Sequence, residues 1–437
     1  MKEDDKGNQM RGRYSSRKFL GAVQILLILA GTLITASCTP SGTSEPEIPS
    51  IIASDIPADN SIERRGPAKK INPGQNLRFE NISLEEGLSQ SSVFCILQDQ
   101  RGFLWFGTED GLNMYDGYSF TVYKKDSDTT NSVSSNWIET IYEDNQGILW
   151  IGTTHGLDSF NPDQETFTHY QIGPEDNQSI SEHHITSLIQ DHQGILWIGT
   201  VDRGITSFDP ETKNFFQYQA DPNDPDSISS NNITAIHEDT YGLLWVGTGN
   251  GGLNLFNRSK QSWMSFIPDP EKPTSLSHEN ISSIVGDTKG SLWIGTDGGG
   301  LNRLILSYSQ RENLADGNYE KSLHLQFQHF QHDSNNPVSL SSNDVYSLHS
   351  DPEGMLWIGT RTTGLNLLTP DQDTFVNFQY NPGNPDSLSN NWILSIYQDR
   401  EGVYWFGTIG AGINKLNLGW RNFDLYQIGR ASCRERV

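Results

Sequence analysis

Disulfides cannot hold this chain together, because cysteine is almost absent. Three occur in 437 residues: Cys38 and Cys433 near the two ends, and Cys95 on its own. Cys95 is then expected to be a small buried hydrophobe, and stability must come from a core, for which the chain is long enough. Basic residues are also scarce, with 30 Lys and Arg against 54 Asp and Glu. Residues 38–427 hold 50 acidic and 21 basic side chains, a formal charge of −29 that repels nucleic acid and anionic lipid. Beyond residue 34 no long apolar run remains. A His-Glu-x-x-His motif, a nucleophile elbow and a phosphate-cradling glycine loop are all missing, so neither metal nor cofactor is expected. The glycine pairs at 251–252 and 298–300 belong to hairpin turns with no helix behind them.

What the chain does have is repetition. A variant of Leu-Trp-x-Gly-Thr occurs around Trp105, Trp150, Trp197, Trp245, Trp293, Trp357 and Trp405, at intervals of 45, 47, 48, 48, 64 and 48 residues. A period of 40–50 residues built from short strands predicts an all-β, seven-bladed β-propeller of four-stranded antiparallel blades over residues 76–427. Within each unit a β-rich run ends in Asp-x-x-Gly, whose Asp starts a tight turn and whose Gly accepts positive φ. Leu-Trp-x-Gly-Thr follows as the second strand. Neither of its alternating faces is polar, so both are expected to be buried between neighbouring sheets. The glycine beside each tryptophan is expected to leave room for a ring of the adjacent blade.

Outer-strand segments recur at Phe120, Phe167, Phe215, Trp263, Phe327, Phe375 and Phe423, and an eighth candidate precedes them at 77–82. Seven blades need seven outer strands. Either 77–82 or 423–426 therefore completes the last blade, and the other faces outwards or begins a further module. The long fifth interval places an insertion near 307–322, with Arg311, Glu312, Asp316 and Glu320, between third and fourth strands and opposite the expected ligand face. It serves either as a tolerated surface insertion or as a contact with a partner or second domain.

The ends read differently from the middle. Arg11, Arg13, Arg17 and Lys18 precede an apolar run at 19–34 and then Thr35-Ala36-Ser37-Cys38, so residues 1–37 form an export signal or membrane anchor. Cys38 is a candidate lipidation site, although Thr35 stands where such sites usually have Leu. An uncleaved anchor and ordinary cleavage remain open, and all three put the ring outside the cytoplasm. Residues 38–75, rich in Ser, Pro and Thr, form a flexible linker. Residues 428–437 look like a translated sequencing adapter, with three arginines in ten residues; a genuine basic tail is the alternative. The natural sequence is expected to run on past Gln427.

Leu-Trp-Ile-Gly-Thr-x-x-x-Gly-Leu-Asn at 292–302, Asn-Pro-Asp-Ser-Leu-Ser-Asn-Asn at 384–391, and Glu86-Gly87-Leu88-Ser89 ahead of 103–108 together resemble the two-component regulator propeller repeat. The resemblance covers residues 77–426. It implies one or two seven-bladed rings outside the cytoplasm, followed in the intact protein by a β-sandwich, a transmembrane helix and usually a histidine kinase. It also implies membrane attachment through the N-terminus, allows a homodimer in the intact receptor, and names oligosaccharides as ligands of some members.

In such a ring the turns between second and third strands, and the connections between blades, open on one face around the channel. The turns supply Asp110, His155, Asp202, Arg203, Asp297 and Arg361, and the connections supply Trp137 and Trp392. Hydrogen-bonding groups mixed with aromatics suit a small polar ligand or an oligosaccharide. Asn and Asp before strands are also ordinary turn chemistry, so Trp137, Arg203, Arg361 and Trp392 rank first because they depart from the repeat. The function expected is the ligand-sensing input of a truncated two-component sensor, without catalytic residues. A surface lipoprotein scaffold for protein contacts is the second expectation. A propeller lyase or glycosidase is the third, since Asp110, Asp202 and Asp297 are available but no spacing pairs two of them. His155, His183 and His184 would have to meet across blades to hold a metal.

Overall fold

Each Leu-Trp-x-Gly-Thr segment is the second strand of a four-stranded antiparallel sheet, and there are seven such sheets. The structure, a computed structural model, describes residues 77–170, 183–315, 325–369 and 374–418. The blades span 93–123, 138–170, 185–218, 233–266, 281–330, 345–378 and 393–416, and are numbered 1 to 7 in that order. The expected seven-bladed propeller is the fold. Cys38, the export segment, the linker, Phe423 and the 428–437 tail lie outside the described residues, as do Asp316 and Glu320.

Blade 7 takes its outer strand from the start of the ring: Glu80–Ile82 pairs antiparallel with Ile413–Leu416, with Ile82 opposite Ile413. Of the two candidates it is therefore the 77–82 segment that closes the ring. Phe79 sits edge-on to Phe378 and Phe406 of the last two blades. On the inner side Gly412 donates to the Ser91 carbonyl at 2.7 Å.

The second strand is buried along its whole length in all seven blades. The core accordingly falls into seven clusters, one per junction. In the cluster between blades 1 and 2, Trp105 packs with Ile138, Leu149 and Ile151. Between blades 2 and 3, Trp150 packs with Ile185, Leu196 and Ile198. Each tryptophan thus faces forward onto the apolar face of the next sheet. The glycine, however, does not accommodate a ring. A Cβ on Gly152 would lie 2.7 Å from Ile185 Cγ2 and 2.5 Å from Thr140 Cγ2, and Gly107, Gly199 and Gly247 meet Ile138, Ile233 and Ile281 in the same way. The expectation of an aromatic neighbour is corrected: the space is taken by the β-branched residue that opens the next first strand, because adjacent blades come closest there.

The Asp-x-x-Gly turn does two jobs. One carboxylate oxygen caps the turn, as where the Phe103 and Ile148 N–H groups donate to Asp99 and Asp144 at 2.9 Å. The other accepts the indole N–H of the tryptophan six residues later, in six blades, at 2.8–3.3 Å. Blade 6 differs. There Asp351 accepts the Tyr404 hydroxyl of blade 7 at 2.5 Å, and burial pushes both groups up from their ordinary pKa values. On the opposite face the strand-two Thr hydroxyl donates to the glycine carbonyl that ends each two-to-three turn, at 2.7–3.1 Å in all seven blades.

Around the Asp-x-x-Gly face, neighbouring blades are latched by one recurring bond. The backbone N–H after the Asp donates to the side chain that ends the next blade's first strand: Gln100 to Glu143, Asn145 to Gln190, His192 to Glu238, and Arg400 to Gln98. At the junction of blades 4 and 5 that position is Gly286, which has no side chain to offer. The inserted helix Tyr308–Ala315 crosses this junction instead. Its Arg311 lies 4.1 Å over the Tyr241 ring of the blade 4 turn and donates at 2.6 Å to the Gly290 carbonyl of the blade 5 turn.

Two tests follow from this packing. Gly152→Ala is expected to lower the unfolding free energy by about 1–3 kcal/mol through overpacking, read from denaturant melts; unchanged stability would contradict the close approach. The second concerns His349, half-buried opposite Trp357, whose Nε2 is itself buried and donates to no described acceptor. Desolvation lowers its pKa from 6.5 to about 4. The unfolded chain therefore binds the proton first as pH falls, so this stability is complete above pH 6.5 and lost between about 6.5 and 4. The loss reaches about 3 kcal/mol. His349→Phe is expected to flatten the dependence in melts run across that window.

Candidate functional site

The mouth of the channel is built from backbone pairing within each blade. The first residue of each two-to-three turn donates its N–H to the residue just ahead of that blade's first strand: Thr154 to Trp137, Val201 to His184, Arg361 to Asp344 and Ile409 to Trp392, at 3.1–3.3 Å. First strands of successive blades pack against one another around the ring. The residue ahead of each first strand and the second residue within it therefore form two tiers at the mouth.

These tiers are not uniform. Blades 6, 7, 1 and 2 contribute Tyr346, Trp392, Phe94 and Trp137, whereas blades 3, 4 and 5 contribute Thr186, Thr234 and Ser282 in the strand, with His184, Asn232 and Asn280 ahead of it. The Thr186 and Thr234 hydroxyls donate to the Ile233 and Ile281 carbonyls of the following blades at 2.7 Å. One arc of the mouth is aromatic and the other is polar.

Within the aromatic arc, the Arg361 guanidinium lies 5.2 Å over Tyr346 and 5.6 Å over Trp392 and pairs with Asp297 at 3.0 Å. Tyr346 and Trp392 meet edge to face at 6.2 Å. Next to them, Trp137 stacks on Phe94 at 5.5 Å and donates its indole N–H to Glu139 at 3.1 Å. His184 Nε2 stands 3.4 Å from the same Glu139 oxygen without hydrogen-bond alignment. Burial pushes the Tyr346 phenol up, and the charge of Glu139, on blade 2, adds to the shift. The Cys95 thiol is also raised, first by burial and then by Glu139, which makes it a poor nucleophile.

The structure brings Arg361, Trp392 and Asp297 together and sets Trp137 in the same arc. The other four predicted residues go elsewhere. Asp110 turns away to Lys124 at 2.6 Å, beyond the fourth strand of its blade. His155 is exposed, its Nδ1 beside the Thr154 hydroxyl at 3.1 Å. Asp202 sits at the rim, 3.3 Å from His183. Arg203 is third in its turn; its carbonyl accepts from Gln217 and Gln219 of the outer edge, and its Nε is buried and donates to no described acceptor. The three histidines have separate neighbours, and among the described residues no group of three His, Cys, Asp or Glu is placed to hold a metal ion. Two clefts lie away from the mouth and touch none of the eight: one of about 400 Å3 between blades 2 and 3, and one of about 610 Å3 beside the closing strand.

Seven segments of this chain, residues 87–110, 132–155, 179–202, 227–250, 275–298, 339–362 and 387–410, match the family model described as two component regulator propeller. The chain belongs to that family. Histidine kinase P4 of Formosa agariphila is 46% identical to it over 59 residues, which is 14% of this chain and 4% of the kinase. The extracellular domain of the hybrid two component system BT3049 from B. thetaiotaomicron is 27% identical at a TM-score of 0.62, over 78% of this chain and 42% of that one. The corresponding domain of BT4673 from the same organism is 25% identical at 0.60, over 78% and 40%. The chain therefore spans about two fifths of these structures. Streptogramin B lyase, 13% identical at a TM-score of 0.55, shares the fold alone.

The two component regulator propeller repeat also explains which mouth residues sequence reasoning missed. Phe94, Glu139 and Tyr346 are second in their first strands, where blades 3, 4 and 5 have Thr, Thr and Ser. Comparing the repeats at that one position would have exposed them, since an aromatic or a carboxylate there departs from a small hydroxyl pattern. Glu139 and Tyr346 lie two positions past the connection residues Trp137 and Asp344.

The Arg361–Asp297 pair is 37% and 38% exposed. A double-mutant cycle with Arg361→Ala and Asp297→Ala, read by denaturant unfolding, is expected to give a coupling below about 1 kcal/mol. A coupling above about 2 kcal/mol would make the pair a structural strut rather than a feature of the mouth.

Proposed function

We propose that this ring is the ligand-reading input region of a two-component sensor, placed outside the cytoplasm, and that a small polar ligand or oligosaccharide binds at the aromatic arc of the mouth. The observation that carries this is the convergence of Tyr346, Trp392 and Arg361 beside Trp137 and Phe94. Here rings that can stack on a ligand stand next to groups that can hydrogen-bond it. The Trp392 indole N–H and the Arg361 Nε are buried and donate to no described acceptor, so the arc retains donors its own fold does not use. The placement is supported by likeness to extracellular domains of hybrid two component systems and by the export-like residues 1–37. Attachment through Cys38 or an uncleaved anchor, and pairing of two receptors, rest on the sequence alone. The ring binds and does not transform. In support, Asp110, Asp202 and Asp297 each face a separate basic partner, and no two of them are set as acid and base.

Thermal melts against a panel of oligosaccharides test this. A ligand at about a hundred times its Kd is expected to raise Tm by about 3–6 °C. Trp392→Ala and Arg361→Ala are expected to abolish the shift while leaving the unliganded Tm within a few degrees. A shift that survives both substitutions would place the ligand elsewhere, and hydrolysis or elimination of any panel member would overturn the non-enzymatic reading.

A further inference from the structure

We infer that the cleft of about 400 Å3 between blades 2 and 3 is a second binding site, and that it takes the guanidinium of an arginine side chain supplied by a partner polypeptide. The cleft lies among the Asp-x-x-Gly turns, on the face opposite the mouth, and touches none of the mouth residues, so this inference does not depend on the sensing function.

The turn carboxylates themselves define the site. In blades 1, 3 and 5 the oxygen that accepts the indole N–H also meets an arginine. Asp99 Oδ2 accepts from Arg101 at 2.9 Å, Asp191 Oδ2 accepts from Arg258 at 2.7 Å, and Asp287 Oδ2 lies 4.0 Å from Arg303. These arginines come from three different places: two residues after the turn Asp, the hairpin between strands three and four of the next blade, and the third-strand partner of the tryptophan. In blade 2 the same places hold Gln146, Pro210 and Ser159, none of them charged, and all three line the cleft. The match of Pro210 to Arg258 is fixed by the residue before each, since Asp209 and Asn257 cap equivalent N–H groups of their hairpins.

Asp144 is therefore 6% exposed and bonded to the Trp150 indole at 2.8 Å and to the Gln146 and Ile148 N–H groups, yet it pairs with no Lys, Arg or His among the described residues. A buried carboxylate of this kind gains from a cation brought to it, as three of its counterparts already do. Asp239 of blade 4 also lacks a cation. There, however, Leu255 stands opposite the tryptophan, Leu306 lines the junction, and the space left is only about 100 Å3.

The rest of the cleft suits the same group. Trp150 and the partly exposed Tyr170, 4.9 Å apart, give it an aromatic wall of the kind that Arg303 covers at Trp293. Asp209 and Glu211 join Asp144 in the lining against a single cation, Lys213, which lies 5.8 Å over Tyr170 and Phe208. The formal charge of −24 draws a basic partner and repels an acidic one. Guanidinium is favoured over ammonium because it lies flat on a ring while its fork reaches a carboxylate.

Calorimetric titration of the full chain with Nα-acetyl-arginine amide tests this, with the isosteric but uncharged Nα-acetyl-citrulline amide as control. The arginine compound is expected to bind with a Kd of about a millimolar. The citrulline compound is expected to bind about tenfold more weakly, and Asp144→Asn to weaken the arginine compound by about the same factor. Pro210→Arg, which copies Arg258, and Ser159→Arg, which copies Arg303, are expected to abolish binding without lowering Tm. These two variants keep every bond the fold uses, so they decide the matter even where Asp144→Asn destabilises the ring. Equal binding of the citrulline compound, binding that survives both arginine substitutions, or no heat up to about 20 mM would overturn the site. Free arginine brings a carboxylate towards Asp209 and Glu211 and is expected to bind less tightly; tighter binding by the free amino acid would overturn a polypeptide as the source.

Discussion

The whole ring depends on one contact repeated seven times: a tryptophan on one blade's second strand pressed against the aliphatic face of the next. A strand buried on both sides cannot be stable in an isolated sheet, because each face exposes apolar area worth about 25 cal/mol per Å2. Each blade therefore needs two neighbours, and the requirement is met only when the last blade meets the first. This is why the closing strand matters. With Glu80–Ile82 in place at Ile413–Leu416, the cluster joining blades 7 and 1 has the same composition as the other six, with Trp405 against Leu104 and Phe106. The glycine after each tryptophan sets the spacing. It lets Ile or Val of the next first strand approach within a distance no Cβ would allow, and so brings the first strands together around the channel.

Most of this was legible because the repeat is redundant. Seven copies of Leu-Trp-x-Gly-Thr identify a fold that one copy would not, and the apolar character of both strand faces already implied a sheet with two covers. Two things were misread or left open for physical reasons. The glycine pattern gives the need for space but not its occupant, since an aromatic ring and a β-branched side chain both demand it. The choice between 77–82 and 423–426 is a competition between two similar outer strands for one edge, and composition does not rank them. At the mouth the limits were different. Arg361 and Trp392 stand out as departures from the repeat and Asp297 as a residue of the turns, but Asp110 and His155 share those turns and point outwards. In blades 1 and 2 the turn has two residues where the others have three, and Asp110 and His155 are the second of the two.

The opposite face shows how the ring handles local exceptions. Four junctions use a side-chain acceptor for the turn N–H, and the sequence breaks this pattern in a readable way at two others. Gly286 removes the acceptor between blades 4 and 5, and Pro352 removes the donor between blades 6 and 7. In the first case the inserted helix restores a tie through Arg311. In the second Tyr404 reaches across to Asp351, the same carboxylate that in six other blades receives its own tryptophan. The described part of the insertion, Tyr308–Ala315, is therefore tied into the ring through Arg311.

The two faces together separate what holds the ring from what it presents. Groups repeated in nearly every blade, the turn Asp, the strand Thr and the glycine, are consumed by bonds that the fold itself requires. A residue free to do something else has to be one the repeat does not specify, and such residues collect in blades 6, 7, 1 and 2 at the mouth. Because the ring is rigid through its junctions rather than through a single core, four blades can carry unlike side chains at these two tiers without altering the packing behind them. The Val93, Ile138, Val345 and Ile393 positions beneath them remain fully buried and β-branched, as in the other three blades. The aromatic arc is thus an addition that the scaffold tolerates without needing it, which is the physical condition for a binding surface to vary while the ring stays the same.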